Sequence, residues 1–344
     1  MKKAQRSILF TFDYELFLGS RSGSVSKCLI EPTGLLLDLF EKYKIKGSIF
    51  FVDTTYLLRL KSEPNTAAKA DYVKIVDQLK LICEKGHFIF PHIHPHWADA
   101  KYVEGANYWS LTDFSKYRFH HVFPELREEL FSQSVNLLKE IVDTCSVKFP
   151  VNAYRAGGWS LQPFEDFKPS FEKHHISHEF SVVPGFKNLS DAQYFDFSEC
   201  PDKVIYKFDS DPTKEAENGV YTEYTISTIE ISKKLYWRNK VWLKYLWKTG
   251  QRSMGDGVSL VIKDKELSKG RKEMLGSANR EMISIELLNL MKLREYKIFL
   301  EKNSYMHFIS HPKMISLHNL KTFERFLKYA ISKYILMTDF NQLR

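Results

Sequence analysis

The feature that most restricts the fold is a rhythm: short apolar runs alternate with longer segments of helical periodicity along almost the whole chain. Residues 7–12, Ser-Ile-Leu-Phe-Thr-Phe, have no polar face, as expected of a strand buried on both sides. Residues 32–43 follow as a helix with Leu35, Leu36, Leu39 and Phe40 on one side. Further strands are expected at 47–52, 87–90, 151–154, 180–183, 306–310 and 334–337, and helices at 67–85, 124–142, 164–174, 281–300 and 317–331. Gly86 supplies a C-terminal stop for the second helix. Strand–helix alternation of this kind calls for a parallel sheet with helical crossovers, and seven or eight repeats favour a barrel over an open sheet. The rhythm breaks over 200–260, which reads as an irregular insertion in a single domain spanning 1–344.

In a parallel barrel, reactive groups sit where strands end and lead into helices. The first strand ends in Asp13-Tyr14-Glu15 and the third in Pro91-His92-Ile93-His94-Pro95-His96-Trp97. The fourth ends in Tyr154-Arg155-Ala156-Gly157-Gly158-Trp159, and a late one in Ser310-His311-Pro312. Each has an ordinary explanation alone: a satisfied histidine, a helix cap, an arginine bracing a loop. Three histidines within five residues, on the same rim as two carboxylates and an arginine, point instead to a metal. Two imidazoles and one carboxylate leave an open position on a divalent ion, which acidifies water and polarises a carbonyl. A free carboxylate then serves as general base, an imidazole protonates a leaving nitrogen, and an arginine keeps the base ionised. Together these groups describe an amide hydrolase.

The same residues resemble the polysaccharide deacetylases, carbohydrate esterase family four, with its NodB-like domain. Thr11-Phe12-Asp13-Tyr14-Glu15 resembles the opening Thr-Phe-Asp-Asp motif, and Gly47-Ser48-Ile49-Phe50-Phe51-Val52 the family's second strand. Gly86-His87-Phe88-Ile89 with His92 and His96 is similar to the Gly-His-Glu-Ile…His-Ser/Thr-x-x-His signature. Tyr154-Arg155-Ala156-Gly157-Gly158 resembles the Arg-x-Pro-Tyr-Gly motif, and Ile309-Ser310-His311-Pro312 the closing Leu-x-His motif. The resemblance implies an α/β fold, a distorted parallel (β/α) barrel of about seven strands. It implies removal of N- or O-acetyl groups from an amino-sugar-containing glycan or precursor, by attack of metal-bound water on the carbonyl. His92 and His96 would be metal ligands, Asp13 the general base, Arg155 its orienting partner and His311 the general acid. Backbone N–H groups near Gly157 to Trp159 would help stabilise the oxyanion. The metal would be zinc first, then cobalt or nickel.

There are three departures. Tyr14 replaces the second aspartate, so Glu15 becomes the metal carboxylate, on the same strand face as Asp13. Ile93 replaces a Ser or Thr, while His94 adds a ligand or supporting donor. Gly157 replaces a proline. Tyr14, Trp159 and Glu179 are further candidates for support or substrate contact, Glu179 standing for a later acidic motif. Tyr14 and Ile93 keep open one rival, a related barrel amidohydrolase acting on a ureide or cyclic amide; a second, a non-catalytic glycan-binding relative, would need the metal or His311 lost, and the sequence retains these residues.

The charge of +8 predicts attraction to anionic surfaces. No basic arm, zinc finger or glycine-rich phosphate loop appears, which sets nucleic acid aside. Anionic glycans, lipid- or nucleotide-linked sugars and acidic membranes all fit the charge. The apolar run at 8–12 is too short for a signal peptide and no run reaches membrane-spanning length, so a cytoplasmic location is the expectation. Cys28, Cys83, Cys145 and Cys200 form no CxxC pair and read as reduced. Residues 233–248 form a basic amphipathic helix with three tryptophans. Packing on the domain or a partner subunit is its first reading, and peripheral contact with a membrane carrying a lipid-linked glycan its second. Residues 97–121 read as a lid beside the metal or as a surface loop.

Overall fold

Strand β1 (Gln5–Tyr14) shows how the alternation becomes architecture, because its side chains separate into two environments. Phe10, Phe12 and Tyr14 face helices α1 (Glu31–Lys42), α2 (Thr54–Ser62) and α3 (Thr66–Glu84) or the strands beside them. Phe10 meets Phe40 of α1 at 5.4 Å between ring centroids, and the Tyr14 hydroxyl donates to Gln78 of α3. Leu9, Thr11 and Asp13 face the opposite, concave side.

The computed structural model describes residues 3–342, apart from 260–279 and the single positions 64, 104, 107, 112, 114 and 192. Its principal sheet adds β2 (Ile49–Asp53), β3 (Phe88–Ile93), β4 (Ala153–Ala156), β5 (His178–Glu179), β6 (Ile205–Phe208), β7 (Tyr221–Tyr224), β8 (Tyr305–Ser310) and β9 (Ile335–Met337). The order is β6-β7-β5-β4-β3-β2-β1-β8, with β9 beside the start of β1. All pairs are parallel except β6 with β7. The sheet curls into a half-barrel. The free edge of β8 is covered by irregular chain: Ser227 N–H donates to His307 C=O at 3.3 Å and Ile309 N–H to Ile283 C=O at 3.1 Å.

Helices α4 (Pro124–Asp143), α5 (Lys168–His174), α6 (Lys233–Lys248), α7 (Leu293–Lys302) and α8 (Leu317–Lys333) complete the described α-helices. The helix expected over 281–300 starts only at Leu293. Before it, the Ile283 N–H donates to Ser227 C=O and its C=O accepts from Ile309, so that backbone is unavailable to a helix. No described helix is long and apolar enough to cross a membrane. The four cysteines are free thiols, three of them buried.

One end of the concave face is filled. Phe340, fully buried, lies within 6.1 Å, centroid to centroid, of Phe88, Phe90, His178, Phe180 and Tyr224. Phe180 stacks on Tyr224 at 4.7 Å and packs on Phe51 at 5.2 Å. The other end, where parallel strands finish, carries the polar residues.

Candidate metal centre

On β3, Phe88, Phe90 and His92 share one face by alternation, and the extended backbone of His94 (φ −118°, ψ 90°) continues it. His92 Nδ1–H donates to the Arg155 carbonyl, its register partner on β4, at 2.9 Å. The neighbouring strand thereby fixes the tautomer and leaves the His92 Nε2 lone pair facing the site. His94 Nε2 lies 3.0 Å from His92 Nε2 and 2.8 Å from Glu15 Oε2, which is 3.5 Å from His92 Nε2. All three residues are buried.

These separations can be compared with what an ion requires. Donors about 2.0–2.1 Å from a tetrahedral zinc lie roughly 3.3 Å apart, and the three distances here bracket that edge. Glu15 Oε1 is occupied by Lys313, whose Nζ donates to it at 2.8 Å, so Oε2 is the oxygen left for a single-oxygen ligand. Burial pushes the Glu15 pKa up, but Lys313 and His94 outweigh it and hold the carboxyl well below its ordinary range. The donor set fits a divalent cation.

Among the described residues, His96 stands next to this donor group without being part of it. Pro95 turns the chain into a short 3-10 segment (Pro95–Asp99), so the His96 ring stacks on Tyr117 at 5.1 Å. Its centroid is 5.5 Å from that of His94, and burial pulls its pKa to about 3. Among the described residues, the His/carboxylate group whose donor atoms all lie within 4.8 Å is Glu15, His92 and His94. Gly157 makes room for it. A Cβ there would sit 2.3 Å from the Ile93 carbonyl and 2.9 Å from His94 Nδ1. The glycine and the extra histidine are thus one departure, seen from two loops.

Asp13 stands beside this group. Arg155 Nη1 donates to Asp13 Oδ1 at 2.6 Å, while Nη2 donates to Thr11 Oγ1 at 2.8 Å and Nε to Phe180 C=O at 3.0 Å. The guanidinium also lies over the Phe51 ring at 4.3 Å, so every part of it is held. Burial raises the Asp13 pKa, but Arg155, His92 and His311 reverse this and leave it lowered. His311 Nε2 is 3.5 Å from Asp13 Oδ2 and 3.7 Å from Glu15 Oε1. Its Nδ1–H donates to Glu286 Oε1 at 2.9 Å. Burial lowers the His311 pKa, and Glu286, Asp13 and Glu15 together raise it above its ordinary value. Its side chain is 25% exposed, against 4% for Asp13, which places it at the mouth.

The other candidates fall outside this cluster. Tyr14 points into the helix layer. Trp159, at φ 57°, packs on Phe195 in a separate apolar cluster with Val182, Phe186 and Ile309. Glu179 opposes Glu223 in register on β7, both fully buried, and accepts from Ser181 N–H and Oγ–H, while Ser181 Oγ accepts from Ala156 N–H. It braces the strand end that leads to Gly157. In the 97–121 segment, Trp97 and Trp109 are core residues and Tyr117 packs on His96. Sequence reasoning missed Lys313, Glu286 and Thr11. Lys313 follows His311 by two positions, which was the available signal; Glu286 carried none.

Neither a family model nor a curated protein sequence matches the chain. Solved structures do. A Mycobacterium smegmatis protein named as a polysaccharide deacetylase shares 11% identity, with 100% of this chain and 90% of that one covered and a TM-score of 0.47. The catalytic domain of a peptidoglycan N-acetylglucosamine deacetylase from Eubacterium rectale shares 11%, covering 97% and 88%, at 0.35. A 4-alpha-glucanotransferase from Thermococcus litoralis shares 12%, with 100% of this chain on only 40% of that one, at 0.48.

Proposed function

We propose that the protein is a metal-dependent hydrolase that removes acetyl groups from an amino-sugar-containing glycan or glycan precursor, including one linked to a lipid or nucleotide. The observation that carries this reading is the Glu15–His92–His94 donor group set against the Asp13–His311 pair. An ion held there, zinc first and cobalt or nickel next, would supply Lewis acidity toward the acyl oxygen and toward water.

The chain's own residues divide the remaining work. Asp13 Oδ2, whose sister oxygen is tied to Arg155, takes a proton from the attacking water as general base. Arg155 keeps that carboxylate ionised and oriented. His311, anchored through Nδ1 by Glu286, presents Nε2 to the site and returns a proton to the departing sugar nitrogen. The acidic neighbours Glu286, Asp13 and Glu15 raise its pKa against burial, which favours the protonated ring this step requires. Backbone N–H groups of the turn at 157–159 are further donors for the acyl oxygen. The glycan substrate rests on the five-motif resemblance rather than on the site alone.

Acetate release from N-acetylglucosamine oligomers, measured beside ureide hydrolysis, tests the reading. Release that is abolished by a chelator and by Asp13→Asn is expected. Turnover of ureides in place of acetylated sugars would assign the related amidohydrolase instead, and metal-free glycan binding without turnover the non-catalytic relative.

A further inference from the structure

We propose that α6 docks the protein on an anionic lipid bilayer, independently of the catalytic reading. The helix contains five lysines, one arginine, three tryptophans and no acidic residue. Its inner face is short: Asn239 and Leu246 are buried, and Trp242 lies 5.8 Å from the His318 ring. The outer face is a broad apolar surface left in the open. Trp237 is 63% exposed, Val241 71%, Tyr245 55% and Trp247 60%.

Trp237, Val241 and Tyr245 recur every fourth residue and form one stripe. Lys234, Lys240, Lys244 and Lys248, all exposed, are interleaved with it. Among the described residues, the stripe's cation contacts are local: Lys240 over the Tyr236 and Trp237 rings, and Arg252 over Trp247. A protein-facing interface rarely mixes so many lysines with its aromatics, since interface cores are depleted of lysine. A bilayer surface accepts both: indole and phenol rings sit at headgroup depth while lysine stems lie along apolar surface with their ammonium groups at anionic phosphates.

Placement supports the same partner. Asn239 Oδ1 accepts from Asn289 Nδ2 at 2.7 Å, anchoring α6 to the loop that carries Glu286, the partner of His311. Asn319 ties that loop down by donating to Glu286 C=O and Leu288 C=O. The helix is therefore tied through its inner face to the loop that holds the partner of His311, while its outer face is left to solvent.

Co-sedimentation of the full chain with vesicles of phosphatidylcholine alone, or mixed with phosphatidylglycerol, reads this directly. Binding to the mixed vesicles should exceed binding to phosphatidylcholine by at least about tenfold and weaken with salt. Two variants sharpen it: Trp237→Ser/Tyr245→Ser/Trp247→Ser and Lys240→Gln/Lys244→Gln/Lys248→Gln. Each should lower mixed-vesicle binding at least about tenfold with thermal unfolding and metal content as in the parent. Equal binding to both vesicle types, or variants that bind as the parent does, would overturn the proposal. So would a dimer that the substitutions dissociate, which reassigns the face to a second copy, or capture by a soluble acidic polysaccharide that vesicles do not displace. Metal content and acetate release in the same samples separate failure of docking from failure of the catalytic reading.

Discussion

The two ends of the half-barrel are built from the same strands and filled in opposite ways. Along β1 the concave-face residues run Leu9, Thr11, Asp13; along β3 they run Phe88, Phe90, His92. Phe88 and Phe90 meet Phe340 and its aromatic neighbours, and Leu9 is fully buried, so burial there is favourable outright. The late positions meet charges, where burial opposes every ionised group. The Asp13 pKa is lowered against desolvation by Arg155, His92 and His311 together, and that of Glu15 by Lys313 with His94 and His92, while His311 gains proton affinity through Glu286, Asp13 and Glu15. One end supplies stability. The other lowers it in exchange for chemistry.

That contrast can be broken from the apolar end first. Phe340→Ala removes the plug and should cost about 3–5 kcal/mol of stability, read by denaturant unfolding, while metal content per folded molecule is unchanged. At the polar end the effects reverse. His311→Ala should reduce the rate of acetate release by roughly 10²–10⁴-fold with little change in unfolding, because the side chain lies at the mouth. Gly157→Ala is a subtler probe. Its Cβ must displace His94 or the Ile93 carbonyl, so metal affinity should fall about 10–100-fold, read by competition with a chelating dye.

Two pH predictions give the smallest effects. Glu286 raises the His311 pKa, with Asp13 and Glu15 also facing that ring; Glu286→Gln should therefore move the alkaline limb of the rate profile to lower pH. Between the two ends lies the buried Glu179–Glu223 pair. Burial first, then the charge of Glu179, raises the Glu223 pKa well above its ordinary value, so the folded state holds it protonated. Its contribution is present below the ordinary carboxylate pKa and is lost as pH rises through the raised value. Glu223→Gln keeps a donor for Glu179 and removes the titration. The melting temperature of this variant should decline less on the alkaline side than the parent's.

Much of this arrangement was legible in the chain. Uninterrupted apolar runs at 7–12 and 47–52 mark buried parallel strands, and the polar groups that follow them share one rim. Period-two alternation placed Asp13 and Glu15 on one face. The same alternation, carried into the histidine loop, keeps His94 on the face of His92; the family-like spacing pointed to His96, and the 3-10 segment that begins at Pro95 takes that residue out of the extended run. Long-range partners were not legible. Glu286 meets His311 only because Ser227 and Ile283 cover the edge of β8 and fix the loop that follows, and no local pattern in 281–300 announces this. The aromatics of 233–248 satisfy a helical period, but period alone does not say whether the stripe faces protein or solvent.

The proposed chemistry depends on His94, with His92 and Glu15, forming the metal site. Metal content after equilibration with zinc, measured for the parent and for His92→Ala, His94→Ala and His96→Ala, tests it most directly. One ion per chain is expected in the parent and in His96→Ala, and loss of that ion in the other two. A parent that binds no metal, or a site that survives His94→Ala and disappears with His96→Ala, would contradict it.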